Sequence, residues 1–151
     1  MNIRLATKFD VNEIIEMLKH FRNHSPVAEM ANCDNHEYMS QVIHQILVGR
    51  GVLIVAEKDN KLMGMIVGYI DRSIWDPELF VLNELAFWVE PEYRGSSAAY
   101  RLLKKYNEET EKLKESGRIK LYTMTKMVNS PDMDYSRFGY KKVEEHWVGG
   151  I

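Results

Sequence analysis

The chain predicts a mixed α/β fold in which a central, mostly antiparallel sheet is flanked by helices. Three observations predict it. Apolar residues recur at helical spacing in three stretches, Val11–Phe21, Tyr38–Leu47 and Ala98–Leu113. Between them lie runs rich in branched and aromatic residues, Val52–Ala56, Leu62–Ile70 and Leu79–Val89. A further run, Ile119–Thr125, follows the third helical stretch, so a helix crosses between it and Leu82–Val89 and the two strands should lie parallel. With 151 residues and 45% hydrophobic content, the chain suits one domain spanning residues 1–151.

In order, Ile3 and Leu5 alternate with polar neighbours and make a short first strand. Asp10 stands where an N-cap belongs, ahead of the stripe Val11, Ile14, Ile15, Leu18 and Phe21. Ser25-Pro26 ends that helix. Tyr38, Val42, Ile43, Ile46 and Leu47 form a second helix that ends near Gly49. Val52–Ala56 and Leu62–Ile70, joined at Asp59-Asn60, pair as an antiparallel hairpin. Gly64 and Gly68 mark a bulge or a close backbone approach. The loop Asp71–Leu79 reads either as a solvated turn over one packed aromatic or as an acidic rim that attracts an amine.

In the strand Leu79–Val89, alternation puts Glu84, Ala86 and Trp88 on one face and Leu85, Phe87 and Val89 on the other. Pro91 stops the strand. Arg94, Gly95, Ser96 and Ser97 make a short turn, and a helix follows from Ser96 to Ser116, capped by Gly117. Its outer face carries mixed charges, including Lys104, Lys105, Glu108 and Glu109, as solvated faces do. Pro131 suits the first turn of a short helix that Gly139 stops. Lys141–Val143 and His146–Val148 are expected to close the sheet as two short strands.

A strand that ends in a small-residue turn and opens a helix builds an anion site. The first helical N–H groups lack internal partners, and the helix dipole adds partial positive charge. Arg94 supplies a full charge at the same place. The chain contains neither G-x-G-x-x-G nor G-x-x-x-x-G-K-[ST], so two common phosphate motifs are excluded.

Val89-Glu90-Pro91-Glu92-Tyr93-Arg94-Gly95-Ser96-Ser97-Ala98-Ala99 followed by Leu102-Leu103 resembles the acetyl-CoA signature of the GNAT superfamily of N-acetyltransferases, V-x-P-x-x-R-G-x-G-x-[GA]. Arg94, Gly95 and Ala99 match, and Ser97 replaces a glycine. Tyr135, four residues before Gly139-Tyr140, resembles a second signature of that family, Y-x-x-x-G-[FY] on a short helix. The resemblance spans essentially the whole chain. It implies a GNAT fold in which the parallel strand pair splays apart to admit the pantetheine arm of acetyl-CoA. It places the pyrophosphate on Arg94, Gly95, Ser96, Ser97, Ala98 and Ala99, and the pantetheine amides against the backbone of Phe87 and Val89. It makes Tyr135 the general acid near the sulfur and sets Asn129 close to a CoA-contacting asparagine.

Glu84 is a charged residue inside an apolar strand, where burial would raise its pKa. Its position resembles that of a glutamate used as general base by several family members. It reads equally as a structural ion-pair partner or as part of a wet sheet face, and a base acting through water could involve Asp76 or Glu144. The resemblance leaves the acceptor open: a small amine, an amino acid or polyamine, an aminoglycoside-like drug, or a protein amino group. Dimers are frequent in the family, so a homodimer is a further expectation. A CoA-binding or inhibitory protein that uses the fold without turnover is the competing class.

A net charge of −2 gives no electrostatic case for nucleic acid. The lone Cys33 allows no internal disulfide and fits a reducing, cytoplasmic setting. No apolar run reaches the ~20 residues of a membrane span, and the first residues lack a signal-peptide core. His20, His24, Cys33, His36 and His44 do not form a closed ligand set, so no metal is expected.

Overall fold

The computed structural model describes residues 1–151. Five strands form one sheet in sequential order: β1 (Asn2–Leu5), β2 (Gly51–Lys58), β3 (Lys61–Arg72), β4 (Phe80–Val89) and β5 (Leu121–Thr123). The first three pairings are antiparallel and β4–β5 is parallel. Helices α1 (Val11–His24) and α2 (His36–Gln45) cover one face. Helix α3 (Ala98–Glu115) covers the other, burying Ala98, Leu102, Leu103 and Tyr106. The mixed α/β sheet expected from the periodicities is present.

Several local expectations change. Asp10 does not cap α1. It closes the preceding turn instead: its carboxylate accepts from the Thr7 N–H at 2.7 Å and from both terminal nitrogens of Arg4 at 2.8 and 2.9 Å. Helix α2 continues into one wide turn, Ile46–Arg50, and unwinds at Gly49, whose φ of +122° lies outside the range most side chains tolerate. β5 is shorter than the predicted Ile119–Thr125. Pro131 lies outside the short helix, a 3₁₀ turn over Tyr135–Phe138 opened by Asp134 and stopped at Gly139.

Lys141–Val143 and His146–Val148 are not strands. No residue beyond Tyr140 makes a backbone hydrogen bond, and Trp147 is 83% exposed. The sheet ends at β5, whose outer edge stays open, and this segment does not pair with it.

The decisive correction lies in β4. Val67 pairs with Ala86, but Gly68 pairs with Glu84, so Leu85 is an extra residue. This bulge leaves Leu85 47% exposed and flips the faces on either side of it. Ala86 and Trp88 pack toward α1 and α2, whereas Leu82 packs toward α3. Glu84, opposite Gly68, falls on the α3 side and not with Ala86 and Trp88. Gly64 and Gly68 each sit beside a register shift, as their spacing suggests.

Candidate active site

β4 and β5 pair from Val81–Leu121 to Asn83–Thr123, then diverge. The Glu90 N–H donates to Met63 O at 2.9 Å on the β3 side. Alternation along an antiparallel ladder then turns the N–H and C=O of Val89 and Phe87 away from β3, into the opening. A cleft of about 160 Å³ occupies the wedge. Glu84, Phe87, Trp88 and Val89 line it from β4; Arg94, Gly95, Ser96 and Ala99 line it from the turn and α3. Thr125, Met133 and Tyr135 face them, and Phe21 and His24 reach in from α1.

The turn before α3 has the features of an anion site. Gly95 adopts φ +86°, a conformation that suits glycine, and nothing stands within 4 Å of where its Cβ would be. The N–H groups of Gly95, Ser97, Ala99 and Tyr100 donate to no group of the protein, while Arg101 N–H makes the first helical bond, to Ser97 O. The Arg94 Nε donates to Val89 O at 2.9 Å, and the guanidinium lies 4.5 Å from the Trp88 ring centroid. That stacking fixes the side chain and leaves its terminal nitrogens available.

Three of the expected residues are absent from the cleft lining. Ala98 is fully buried in the α3 core, and its N–H donates to Ser96 Oγ at 3.2 Å. The Ser97 side chain is exposed and does not line the cleft, although its N–H is one of the unpaired donors of the turn. Asn129 is not a lining residue either. Its amide donates to His24 O at 2.7 Å, and its carbonyl contacts the His24 ring at 3.2 Å, so it pins the segment after β5 to the end of α1. Asp76 and Glu144 are exposed and remote from the lining, and Trp75 is not packed beneath its loop.

Glu84 is only 6% exposed. Its Oε2 accepts from Thr125 Oγ1 and, at 3.3 Å, from Thr125 N–H. Burial pushes its pKa up to about 7, partly offset by the two Thr125 bonds. The Tyr135 hydroxyl donates to Thr125 O at 3.2 Å. Burial first, and the Glu84 charge second, push that phenol up to about 12. One residue, Thr125, therefore joins a carboxyl that titrates near neutrality to a phenol that keeps its proton. Thr125, Trp88, Phe21 and His24 escaped the sequence reading. The Glu84–Thr125 contact joins residues 41 apart, a distance no local pattern records. His20 and His24 serve locally, His20 against Glu90 Oε1 at 2.7 Å and His24 against Asn129.

The arrangement can hold an anion at the turn, pair an extended amide-bearing arm with β4, and move protons where the strands part. Solved structures of other proteins share the fold. A predicted acetyltransferase from Clostridium acetobutylicum, solved with acetyl-CoA, superposes with a TM-score of 0.72 at 16% identity, over 98% of this chain and 94% of that one. A Trypanosoma brucei acetyltransferase gives 0.69 at 15% identity over 99% of both chains. An aminoglycoside acetyltransferase from an uncultured soil sample, solved with sisomicin, gives 0.66 at 17% identity, over 99% of this chain and 93% of that one. No curated protein matches the sequence. The model of the Acetyltransferase (GNAT) family matches residues 14–140, and with most of its length covered the chain belongs to that family.

Proposed function

We propose that this protein transfers an acetyl group from acetyl-CoA to a primary amine by direct attack. The observation that carries the reading is the Glu84–Thr125–Tyr135 cluster, set where β4 and β5 part. The uncommitted N–H groups of Gly95, Ser97, Ala99 and Tyr100 beside Arg94 fit a pyrophosphate. The outward N–H and C=O of Phe87 and the N–H of Val89 fit pantetheine amides. Solved relatives of the fold with acetyl-CoA and with an aminoglycoside bound support the donor and an amine acceptor.

Bound acetyl-CoA supplies the acetyl carbon as an activated thioester. Glu84, with a pKa about 7, takes the proton from the attacking ammonium or amine. Tyr135 acts at the sulfur. Burial keeps its phenol protonated at neutral pH, so it can donate to the departing thiolate, as the resemblance implies for a general acid. Thr125 holds both groups in register.

A thiol-release assay with acetyl-CoA against a panel of small amines, aminoglycosides, polyamines and peptides tests the reading. Release with one amine class is the expected result. Binding of acetyl-CoA without release on any amine would overturn it in favour of a non-catalytic CoA-binding protein.

A further inference from the structure

Tyr106, on the inner face of α3, is fully buried, yet its hydroxyl has no hydrogen-bond partner in the protein. A phenylalanine would fill the same space without an unpaired polar atom. The place of that hydroxyl is specific. A Cβ on Gly68 would lie 2.3 Å from it, and Gly68 is the cross-strand partner of Glu84. β3 thus carries no side chain at the one position where the hydroxyl reaches the sheet, next to the buried carboxyl.

Glu84 has a matching unfilled position. Both Thr125 donors go to Oε2, and Oε1 receives no protein donor; in this structure it stands beyond hydrogen-bond distance of the Tyr106 hydroxyl. An ionised carboxylate offers about four acceptor positions. Its charge raises the pKa of three tyrosines, Tyr106 from α3 and Tyr135 and Tyr140 from the segment after β5, while His24 and Arg94 line the same cleft. No Lys, Arg or His contributes to its ionisation. Tyr135 donates to Thr125 O and Tyr140 to Asn107 Oδ1 at 2.5 Å. Tyr106 alone is uncommitted.

We propose that Tyr106 is a positioning residue for Glu84, its hydroxyl donating to the ionised carboxylate and setting the orientation from which that carboxylate takes a proton. The proposal rests on Glu84 as the base. The phenol keeps its proton throughout, and no bond beyond hydrogen bonds is made or broken at it. Thr125 holds one carboxylate oxygen; a bond from Tyr106 to the other, formed on ionisation, would keep the group from swinging with the acceptor.

The test is a carbon-13 NMR titration of the Glu84 side chain in the wild type and in Tyr106→Phe, with Glu84→Gln to assign the signal. Loss of a donor to the anion should move the Glu84 titration up by about one pH unit, and the acid limb of kcat/KM should move with it. Tyr106→Met removes the same hydroxyl and serves if the phenylalanine variant folds poorly. A titration that stays in place, whatever happens to the melting temperature, overturns the proposal. A titration that moves while Glu84→Gln keeps full activity overturns instead the reading of Glu84 as base.

Discussion

Glu84 and Thr125 close the wedge between β4 and β5. The carboxyl of one accepts both the N–H and the hydroxyl of the other, two residues past the last β4–β5 pair. The contact does two things. It ends the sheet on its open side, and it holds a carboxyl in a site dry enough to titrate near pH 7.

Activity should follow the Glu84 titration. Glu84→Gln keeps the shape and loses the base, so kcat is expected to fall by about 10²–10⁴ with folding retained. In the wild type kcat/KM should rise as pH increases through about 7. A steady-state pH profile checks both.

The same carboxyl sets a pH dependence of stability. Its folded pKa, about 7, lies above the ordinary carboxylate value of 4.5. The folded state therefore holds a proton that the unfolded state has lost between those values. Stability should fall as pH rises across that window, by on the order of 3 kcal/mol. Urea titrations at several pH values should show this slope in the wild type and a flatter one in Glu84→Gln.

Arg94→Ala should weaken acetyl-CoA binding. Ligand at 100 times Kd stabilises the wild type by about 2.7 kcal/mol, or roughly 5–10 °C in Tm. The variant should lose most of that shift at the same concentration. Its ligand-free Tm should drop by only a few degrees, since it loses the bond to Val89 O and the stacking on Trp88. Differential scanning fluorimetry measures both.

Gly68→Ala places a methyl 2.3 Å from the Tyr106 hydroxyl, so the ring must shift or the strand must bend. Overpacking of this kind costs about 1–3 kcal/mol. Adding Tyr106→Phe removes the nearest atom but leaves the ring carbon at 3.1 Å, so rescue should be partial. A double-mutant cycle should return a coupling of about 0.5 kcal/mol or more.

Far from the cleft, Asp10→Ala removes the partner of Arg4 and of the Thr7 N–H. A loss of about 2–3 kcal/mol is expected, with acetyl-CoA binding unchanged. The Arg4 guanidinium holds the Asp10 carboxyl below its ordinary value of 3.8, so this contribution is present at neutral pH and disappears as pH falls below that value. Thermal melts should therefore show a smaller difference between wild type and variant at pH 3 than at pH 7.

The sequence by itself determined the helices, the hairpins and the Arg94–Gly95 turn, because each is written in the spacing of near neighbours. Stripes at period 3.6, runs of branched residues and a glycine before a helix need no distant partner. It also singled out Glu84 and Tyr135, as a charge in an apolar strand and as part of a family signature. The tertiary structure alone decided which face Glu84 occupies. The bulge at Leu85 sits beside Gly68, which leaves room for the Tyr106 hydroxyl, and a one-residue slip inverts every side chain beyond it. It alone brought Thr125 to both proposed catalytic groups and turned Asn129 toward α1. It left residues 141–148 unpaired despite their strand-like pattern, because propensity cannot supply a ladder partner.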